Sequence, residues 1–193
     1  MQNSRVGVVF WKRQNMKIAT CVHIIENGYV QFGYQYTWIE GFKGYGGKLK
    51  EGQTIRQNAV EEVWEETGGE PKFRLRPEED GGIHIREEWL EPIGFIDFYN
   101  GSEEEVPFGD PSFRVYFFNC RKKLGRAVDT IEMKDHQLFN IHYPPVDKMI
   151  KGDGEFVPRM LQDICLIGWV RRDKDWNTTS SSIKECNKEN LGF

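Results

Sequence analysis

Residues 46–69, GGKLKEGQTIRQNAVEEVWEETGG, contain the strongest helix signal in the sequence, with glycine pairs at both ends. Thr54 belongs to the residue types preferred at a helix N-cap, and Gln57 stands three residues later, as a capping box requires. Gly68 and Gly69 follow, and glycine accepts the left-handed turn that ends many helices. The segment therefore predicts a helix that begins after Thr54 and ends before Gly68.

The apolar residues of this helix favour packing against a sheet. Ile55, Ala59 and Val63 recur at a spacing of four residues, and Val60 and Trp64 lie beside them. Residues with this spacing form one stripe of a helix, which is typical of a helix that covers a sheet.

The acidic residues of the same helix are harder to explain by stability alone. Glu61, Glu62, Glu65 and Glu66 crowd its last turns. Each like-charged pair three or four residues apart destabilises an isolated helix by about 0.2–0.5 kcal/mol. Anions at a helix C-terminus are disfavoured by roughly 0.3–1 kcal/mol each. A bound divalent cation would reverse this balance, since carboxylate oxygens are preferred ligands of Mg²⁺ and Mn²⁺.

The pattern on either side predicts a mixed sheet in an α/β or α+β domain. Strands are expected at residues 17–25, 29–36, 92–99, 113–120 and 137–141. Residues 156–170 look like an amphipathic helix with Pro158 in its first turn. We expect an N-terminal extension over residues 1–15, a domain over 16–172 and a polar, mobile tail over 173–193.

Composition narrows the function classes. The formal net charge is -4, from 26 basic and 30 acidic side chains, which argues against a general nucleic-acid coat. The longest apolar runs are too short to span a membrane, and we expect a cytoplasmic protein. The four cysteines are scattered, and we interpret them as buried, reduced thiols.

The loop before the helix, Gly44-Tyr45-Gly46-Gly47-Lys48, allows a close approach of backbone to ligand and offers a cation. The loop and helix together resemble a Nudix box, G-x5-E-x7-R-E-U-x-E-E-x-G-U with U aliphatic. Three positions depart from it, because Gln53 replaces the first Glu, Glu61 replaces the Arg and Gly69 replaces an aliphatic residue. In the family the first Glu and the Arg are expected to pair, and Gln53 and Glu61 retain the capacity for a hydrogen bond.

The resemblance covers roughly residues 17–170 and is greatest to MutT-like hydrolases of the 8-oxo-dGTP diphosphatase kind. Three segments carry this resemblance. Residues 44–52 are similar to the G-F/Y-G-G-K-V/L-x-E-G motif of that group, residues 128–134 to its V-E-S-D-E-M-R motif, and residues 149–158 to its M-W-P-D-D-x-x-W-F-P motif. The resemblance implies a Nudix-type α/β/α sandwich with a mixed central sheet.

The resemblance also implies a metal site and a catalytic base. Glu62, Glu65 and Glu66, with the Gly46 carbonyl and Glu132, are the expected ligands of Mg²⁺ or Mn²⁺. Either Glu62 or Glu132 would act as the base, and Lys48 would steady a phosphate.

A base pocket is implied at a short distance from the metals. Met133 and Asp153 are expected to border it, Trp38 to offer a stacking face, and Lys43 to stand where the relatives carry a purine-reading Asn. A lysine lacks the donor and acceptor pair of an amide.

The sequence thus predicts a metal-dependent pyrophosphohydrolase of nucleoside triphosphates, with oxidised or modified purine nucleotides as candidate substrates. The alternatives are another Nudix substrate (capped RNA, a dinucleotide, a nucleotide sugar or ADP-ribose) and a non-catalytic nucleotide-binding module. The expected partner is a small nucleotide; no membrane or long nucleic acid is expected, and the oligomeric state is left open.

Overall fold

A computed structural model describes residues 16–37, 39–69, 81–103, 105–106 and 108–191. The predicted extension over residues 1–15 lies outside these ranges. The helices are α1 Ile55–Glu66 and the five-residue α2 Val157–Leu161. The strands are β1 Lys17–Glu26, β2 Tyr29–Gln35, β3 Gly41–Lys43, β4 Gly82–His84, β5 Leu90–Asn100, β6 Phe113–Cys120, β7 Leu124–Arg126, β8 Met133–Asn140, β9 Leu166–Arg172 and β10 Thr178–Glu185.

Within the described ranges, eight strands form one mixed sheet. Its order is β10-β9-β5-β6-β1-β2-β3, and β8 pairs with β2 off this path. The β1/β6 and β5/β9 pairs are parallel, whereas the other neighbours are antiparallel. β4 and β7 form a separate two-stranded sheet. The predicted fold class, an α+β domain with a mixed central sheet, is confirmed.

The large sheet separates two apolar cores, because neighbouring side chains of a strand point to opposite faces. On β6, Phe117 packs in the core that α2 covers, with Met160 and Leu161, while Phe118 packs in the other. That second core contains Ala59 and Val63 of α1, both completely buried. The predicted apolar stripe of the helix is therefore confirmed.

The ends of α1 follow their local sequence. The Thr54 hydroxyl accepts a hydrogen bond from the Gln57 backbone N–H at 3.1 Å, and the Gln57 side chain accepts one from the Thr54 N–H at 3.0 Å. Gly68, which follows the C-cap residue Thr67, adopts a φ of 104°, a conformation that costs glycine little. The capping box and the glycine stop hold α1 at its predicted position.

The C-terminal region differs from the prediction. The predicted helix over residues 156–170 is wrong, because α2 stops at Leu161 and residues 166–172 form β9 in the sheet. The predicted mobile tail is also wrong for residues 178–185, which form β10 and pair with β9. A short apolar run such as residues 164–170 suits a buried strand as well as a helix, so periodicity alone does not separate the two.

Two of the four cysteines differ from the reduced thiols that we expected. Cys165, just before β9, forms a disulfide with Cys186, just after β10. The bond links the start of β9 to the end of β10, which lie side by side because the two strands are antiparallel. Cys21 and Cys120 are free thiols. In the described part of the chain, no helix has the length and apolar character needed to cross a membrane.

Candidate active site

The glycine loop is held against the edge of β1 by backbone hydrogen bonds. The Val22 N–H donates to the Tyr45 carbonyl at 2.7 Å, the Tyr45 N–H donates back at 3.0 Å, and the Thr20 N–H donates to the Gly47 carbonyl at 2.9 Å. A Cβ at Gly46 would collide with the Thr20 carbonyl. Glycine at this position therefore allows the loop to lie directly between β1 and α1.

Gly47 makes room for a carboxylate of α1. The nearest atoms to a Cβ built there are those of the Glu62 carboxylate, at distances too short for any side chain. Any larger residue at position 47 would displace Glu62. The close packing of loop and helix thus depends on the glycine that matches the start of the Nudix-box pattern.

Asn58 fixes the loop to the helix from the other side. Its amide nitrogen donates to the Thr20 hydroxyl at 2.9 Å and to the Gly47 carbonyl at 3.3 Å, and its oxygen accepts from the Lys50 N–H at 3.2 Å. Asn58 is completely buried. These bonds offset the cost of burying its amide.

Glu66 lies at the inner end of the site in a closed ring of hydrogen bonds. Its Oε2 accepts from the Gly46 N–H at 2.6 Å, and its Oε1 accepts from Lys43 Nζ at 3.1 Å. Lys43 Nζ also donates to the Gly46 carbonyl at 2.9 Å. Hydrogen bonds to ionised groups are among the strongest in proteins, so this ring fixes the loop on the last turn of α1.

Lys50 forms ion pairs with the outer carboxylates. Its Nζ lies 2.7 Å from Glu65 Oε2, 3.4 Å from Glu62 Oε1 and 3.5 Å from Glu61 Oε1. One ammonium thus stands among three carboxylates that converge from α1.

Burial and crowding change the protonation of these groups. Desolvation, opposed by Lys50 and reinforced by Glu66 and Glu65, raises the pKa of Glu62 to about 7. Desolvation also raises the pKa of Glu66, although Lys43 and the Gly46 N–H oppose it. For Lys43, burial is the largest effect and works against the charge, but the combined effects of Glu66, Cys21 and Glu62 exceed it and raise the pKa of the ammonium. The site therefore favours the binding of positive charge.

The donor set fits a divalent cation. Carboxylate and carbonyl oxygens are the ligands that Mg²⁺ and Mn²⁺ prefer, and the cluster already attracts two ammonium groups. Within the described residues, no group of three or more His, Cys, Asp and Glu side chains forms a ready metal cage. The carboxylates are turned onto the lysines, and the metal ligands stay a prediction.

Two of the three departures from the Nudix pattern, Gln53 and Glu61, are neighbours in the structure. The Gln53 amide donates a hydrogen bond to the Glu61 carboxylate. These residues use their capacity for a hydrogen bond, which links the end of the loop to α1, as the Glu–Arg ion pair is expected to do in the family.

The other predicted site residues are distributed around this cluster. Lys48 is exposed, and its ammonium forms no ion pair with any residue that the structure describes. Glu132 is exposed and close enough to raise the pKa of Glu66 slightly. Met133 is completely buried in the core beneath α1, so we assign it to packing. Trp38 lies outside the described residues.

Asp153 lies at the far side of Lys43. Its carboxylate accepts from Arg172 Nη2 at 2.9 Å, and burial raises its pKa against the opposing effect of Arg172 and Lys43. The half-buried thiol of Cys21 lies within electrostatic range of Lys43, Asp153 and Glu66, and burial raises its pKa to about 12. Cys21 and Asp153 are thus both coupled electrostatically to Lys43, and a contact of Asp153 with a base stays a prediction.

Sequence reasoning missed Lys50, Asn58 and Arg172. The lysine and the asparagine lie inside the recognised segment, but their partners depend on how the loop folds back on α1. Arg172 ends β9, most of which was predicted to be helix, so no local signal connected it with Asp153.

Comparisons with known proteins agree with this geometry. An oxidized purine nucleoside triphosphate hydrolase from Danio rerio is 27% identical over 157 residues, which cover 80% of this chain and 86% of that protein. No protein-family model matches the chain.

Solved structures match over most of the chain. The MutT protein from Bacillus halodurans has a TM-score of 0.69 at 17% identity and covers 88% of this chain and 98% of its own. A Nudix hydrolase from Nitrosomonas europaea has a TM-score of 0.55 at 14% identity, and the match covers 82% of this chain and 81% of that chain. A MutT Nudix hydrolase from Burkholderia pseudomallei has a TM-score of 0.52 at 10% identity, and the match covers 76% of this chain and 98% of that chain. The chain therefore has the fold of MutT and Nudix hydrolases, and the resemblance inferred from residues 46–69 is confirmed.

Proposed function

We propose that this protein is a metal-dependent pyrophosphohydrolase that converts a nucleoside triphosphate to a nucleoside monophosphate and pyrophosphate. The observation that carries the proposal is the convergence of Glu62, Glu65 and Glu66 on a backbone loop, with two lysine ammoniums drawn among them. The name of the Danio rerio relative supports a purine nucleotide substrate.

The carboxylates would hold Mg²⁺ or Mn²⁺, with Glu62, Glu65, Glu66, Glu132 and the Gly46 carbonyl as the ligand set. When bound, such ions neutralise phosphate charge and make a water more acidic. Lys48 would bind a phosphate oxygen, since it is exposed to solvent beside the loop.

Proton removal from the attacking water falls to Glu62 or Glu132. Glu62 lies at the centre of the carboxylate cluster, whereas Glu132 approaches from the loop before β8. Asp153 and Lys43, with Trp38, are the proposed contacts of the base.

A different nucleotide derivative is the second candidate, and the geometry of Lys43 favours it. The ammonium is committed to Glu66 and the Gly46 carbonyl, so it does not offer a purine the paired donor and acceptor of an amide. By contrast, the hydrogen bond between Gln53 and Glu61 keeps the loop braced, which weakens the case for a non-catalytic module.

A nucleotide panel tests the proposal. Purine and pyrimidine triphosphates, an oxidised purine triphosphate, ADP-ribose, a nucleotide sugar, a dinucleotide and a capped dinucleotide would each be incubated with Mg²⁺, and the products identified. We expect pyrophosphate from at least one triphosphate.

Two variants connect turnover with the site. Loss of a general base costs roughly 100-fold or more in rate, so Glu62→Gln and Glu132→Gln assign the base by which of them shows that loss. Glu88→Gln, an exposed carboxylate paired with Arg86 away from the site, is the matched control and should keep the wild-type rate. Turnover of ADP-ribose or another derivative alone would favour the second candidate, and no turnover in the panel would refute the proposal.

A further inference from the structure

Two lysines neutralise the carboxylate cluster in different ways. Lys43 lies on β3, next to Phe42 in the core, and only 15% of its side chain is exposed. Lys50 lies in the loop before α1, and 41% of its side chain is exposed. The first is fixed by its strand, whereas the second reaches in from solvent.

The contacts of Lys43 use both groups expected to bind metal at the inner end of the site. Its Nζ donates to the Gly46 carbonyl and to Glu66 Oε1, while Glu66 Oε2 is taken by the Gly46 N–H. A divalent ion that displaced Lys43 from these oxygens would leave a largely buried ammonium without these partners, which is costly. A divalent ion bound to the same oxygens would also lie beside the ammonium and be repelled by it.

Lys50 imposes no comparable barrier. Its ion pairs with Glu61, Glu62 and Glu65 are partly exposed to solvent, and such pairs contribute little to stability. A long side chain at the surface can turn into water and leave its carboxylates to another cation.

We propose that Lys43 is a built-in cation of this site: its ammonium stays on the Gly46 carbonyl and Glu66, and divalent metal binds only at the outer carboxylates, Glu62 and Glu65, which Lys50 vacates. This inference rests on the metal-dependent function proposed above and narrows its ligand set. The wild-type protein should therefore bind one divalent ion fewer than a variant that lacks Lys43.

Manganese binding to the nucleotide-free full-length protein tests the proposal. Bound Mn²⁺ per chain would be counted by equilibrium dialysis and by the loss of the free-ion electron paramagnetic resonance signal. Lys43→Met should bind one more ion than the wild type, because it frees the Gly46 carbonyl and Glu66. The matched variant Lys50→Met should bind the wild-type number with higher affinity. Equal numbers in wild type and Lys43→Met would overturn the proposal.

A wild-type crystal grown with Mn²⁺ provides a test that does not depend on folding of the variants. Anomalous scattering should locate manganese at Glu62 and Glu65, with Lys43 Nζ still within hydrogen-bonding distance of the Gly46 carbonyl. Manganese on the Gly46 carbonyl would overturn the role of Lys43 and leave the hydrolase proposal standing. If no manganese binds the wild type, both proposals fall.

Discussion

Gln53 and Glu61 illustrate how the site preserves a contact while changing both partners. Where the Nudix pattern has Glu and Arg, this chain has an amide that donates to a carboxylate. The bond remains charge-assisted, but it adds one negative charge to a cluster that already contains three glutamates. Lys50 lies 3.5 Å from Glu61 and offsets that charge. The departures from the pattern are thus compensated locally.

A double-mutant cycle measures this bond. We expect Gln53→Ala and Glu61→Ala to be coupled by about 0.5–1 kcal/mol in the free energy of unfolding, because the pair is partly exposed. Urea unfolding of the two single variants and the double variant gives the coupling. A coupling indistinguishable from zero would mean that the contact does not brace the loop.

His23 makes stability depend on pH. It is buried, and desolvation lowers its pKa from 6.5 to about 4, although its hydrogen bond to Asn119 at 3.0 Å opposes the shift. The unfolded chain takes up a proton near pH 6.5, whereas the folded chain does so only near pH 4. Stability is therefore complete above pH 6.5 and decreases as the pH falls through this window, by up to about 3 kcal/mol.

Urea unfolding between pH 7.5 and 4 measures this loss, and His23→Gln is the control. The difference in slope between the two proteins isolates His23 from the carboxylates, which titrate in both. Parallel curves would show that His23 does not titrate as its burial predicts.

At the scale of elements, prediction succeeded where the signal is local. The ends of α1 are set by Thr54, Gln57 and Gly68, whose partners are within a few residues. The strands predicted at residues 17–25 and 29–36 likewise match β1 and β2, which are joined through Asn27 and Gly28. By contrast, β10 exists because β9 offers it an open edge, and a polar sequence such as residues 178–185 carries no sign of that edge.

The same distinction applies to the candidate site. The glutamates were predicted because they occupy fixed spacings on one helix, and the structure brings Glu62, Glu65 and Glu66 together. The positions of Lys50 and Arg172 depend on a loop and on a strand pairing, so spacing in the sequence could not reveal them.

The N-cap of α1 can be tested separately from the rest of the fold. Thr54→Ala removes the hydroxyl that accepts from the Gln57 N–H and should lower the free energy of unfolding by about 1 kcal/mol. Thr54→Ser retains the hydroxyl and should stay close to the wild type. Equal losses in both variants would point to packing of the threonine methyl group and not to capping.

At the scale of the whole molecule, the disulfide fastens the edge of the sheet. Cys165 and Cys186 are separated by 21 residues and enclose β9 and β10. Closing a loop of this length stabilises a fold by about 3 kcal/mol in the chain-entropy description. Reductant should therefore lower the melting temperature by roughly 6–12 °C. Cys186→Ser should melt at the lower temperature with and without reductant, and a wild type insensitive to reductant would contradict the prediction.

The glycine loop and α1 together present one cluster of carboxylates. The proposed function requires a divalent ion to bind at this cluster. Titration of Mn²⁺ into the wild type and into Glu62→Gln/Glu65→Gln, followed by electron paramagnetic resonance, is the most direct measurement. We expect the wild type to bind Mn²⁺ and the double variant to lose this binding, with Glu88→Gln behaving as the wild type does. Undiminished binding in the double variant, or no binding in any of the three proteins, would contradict this expectation.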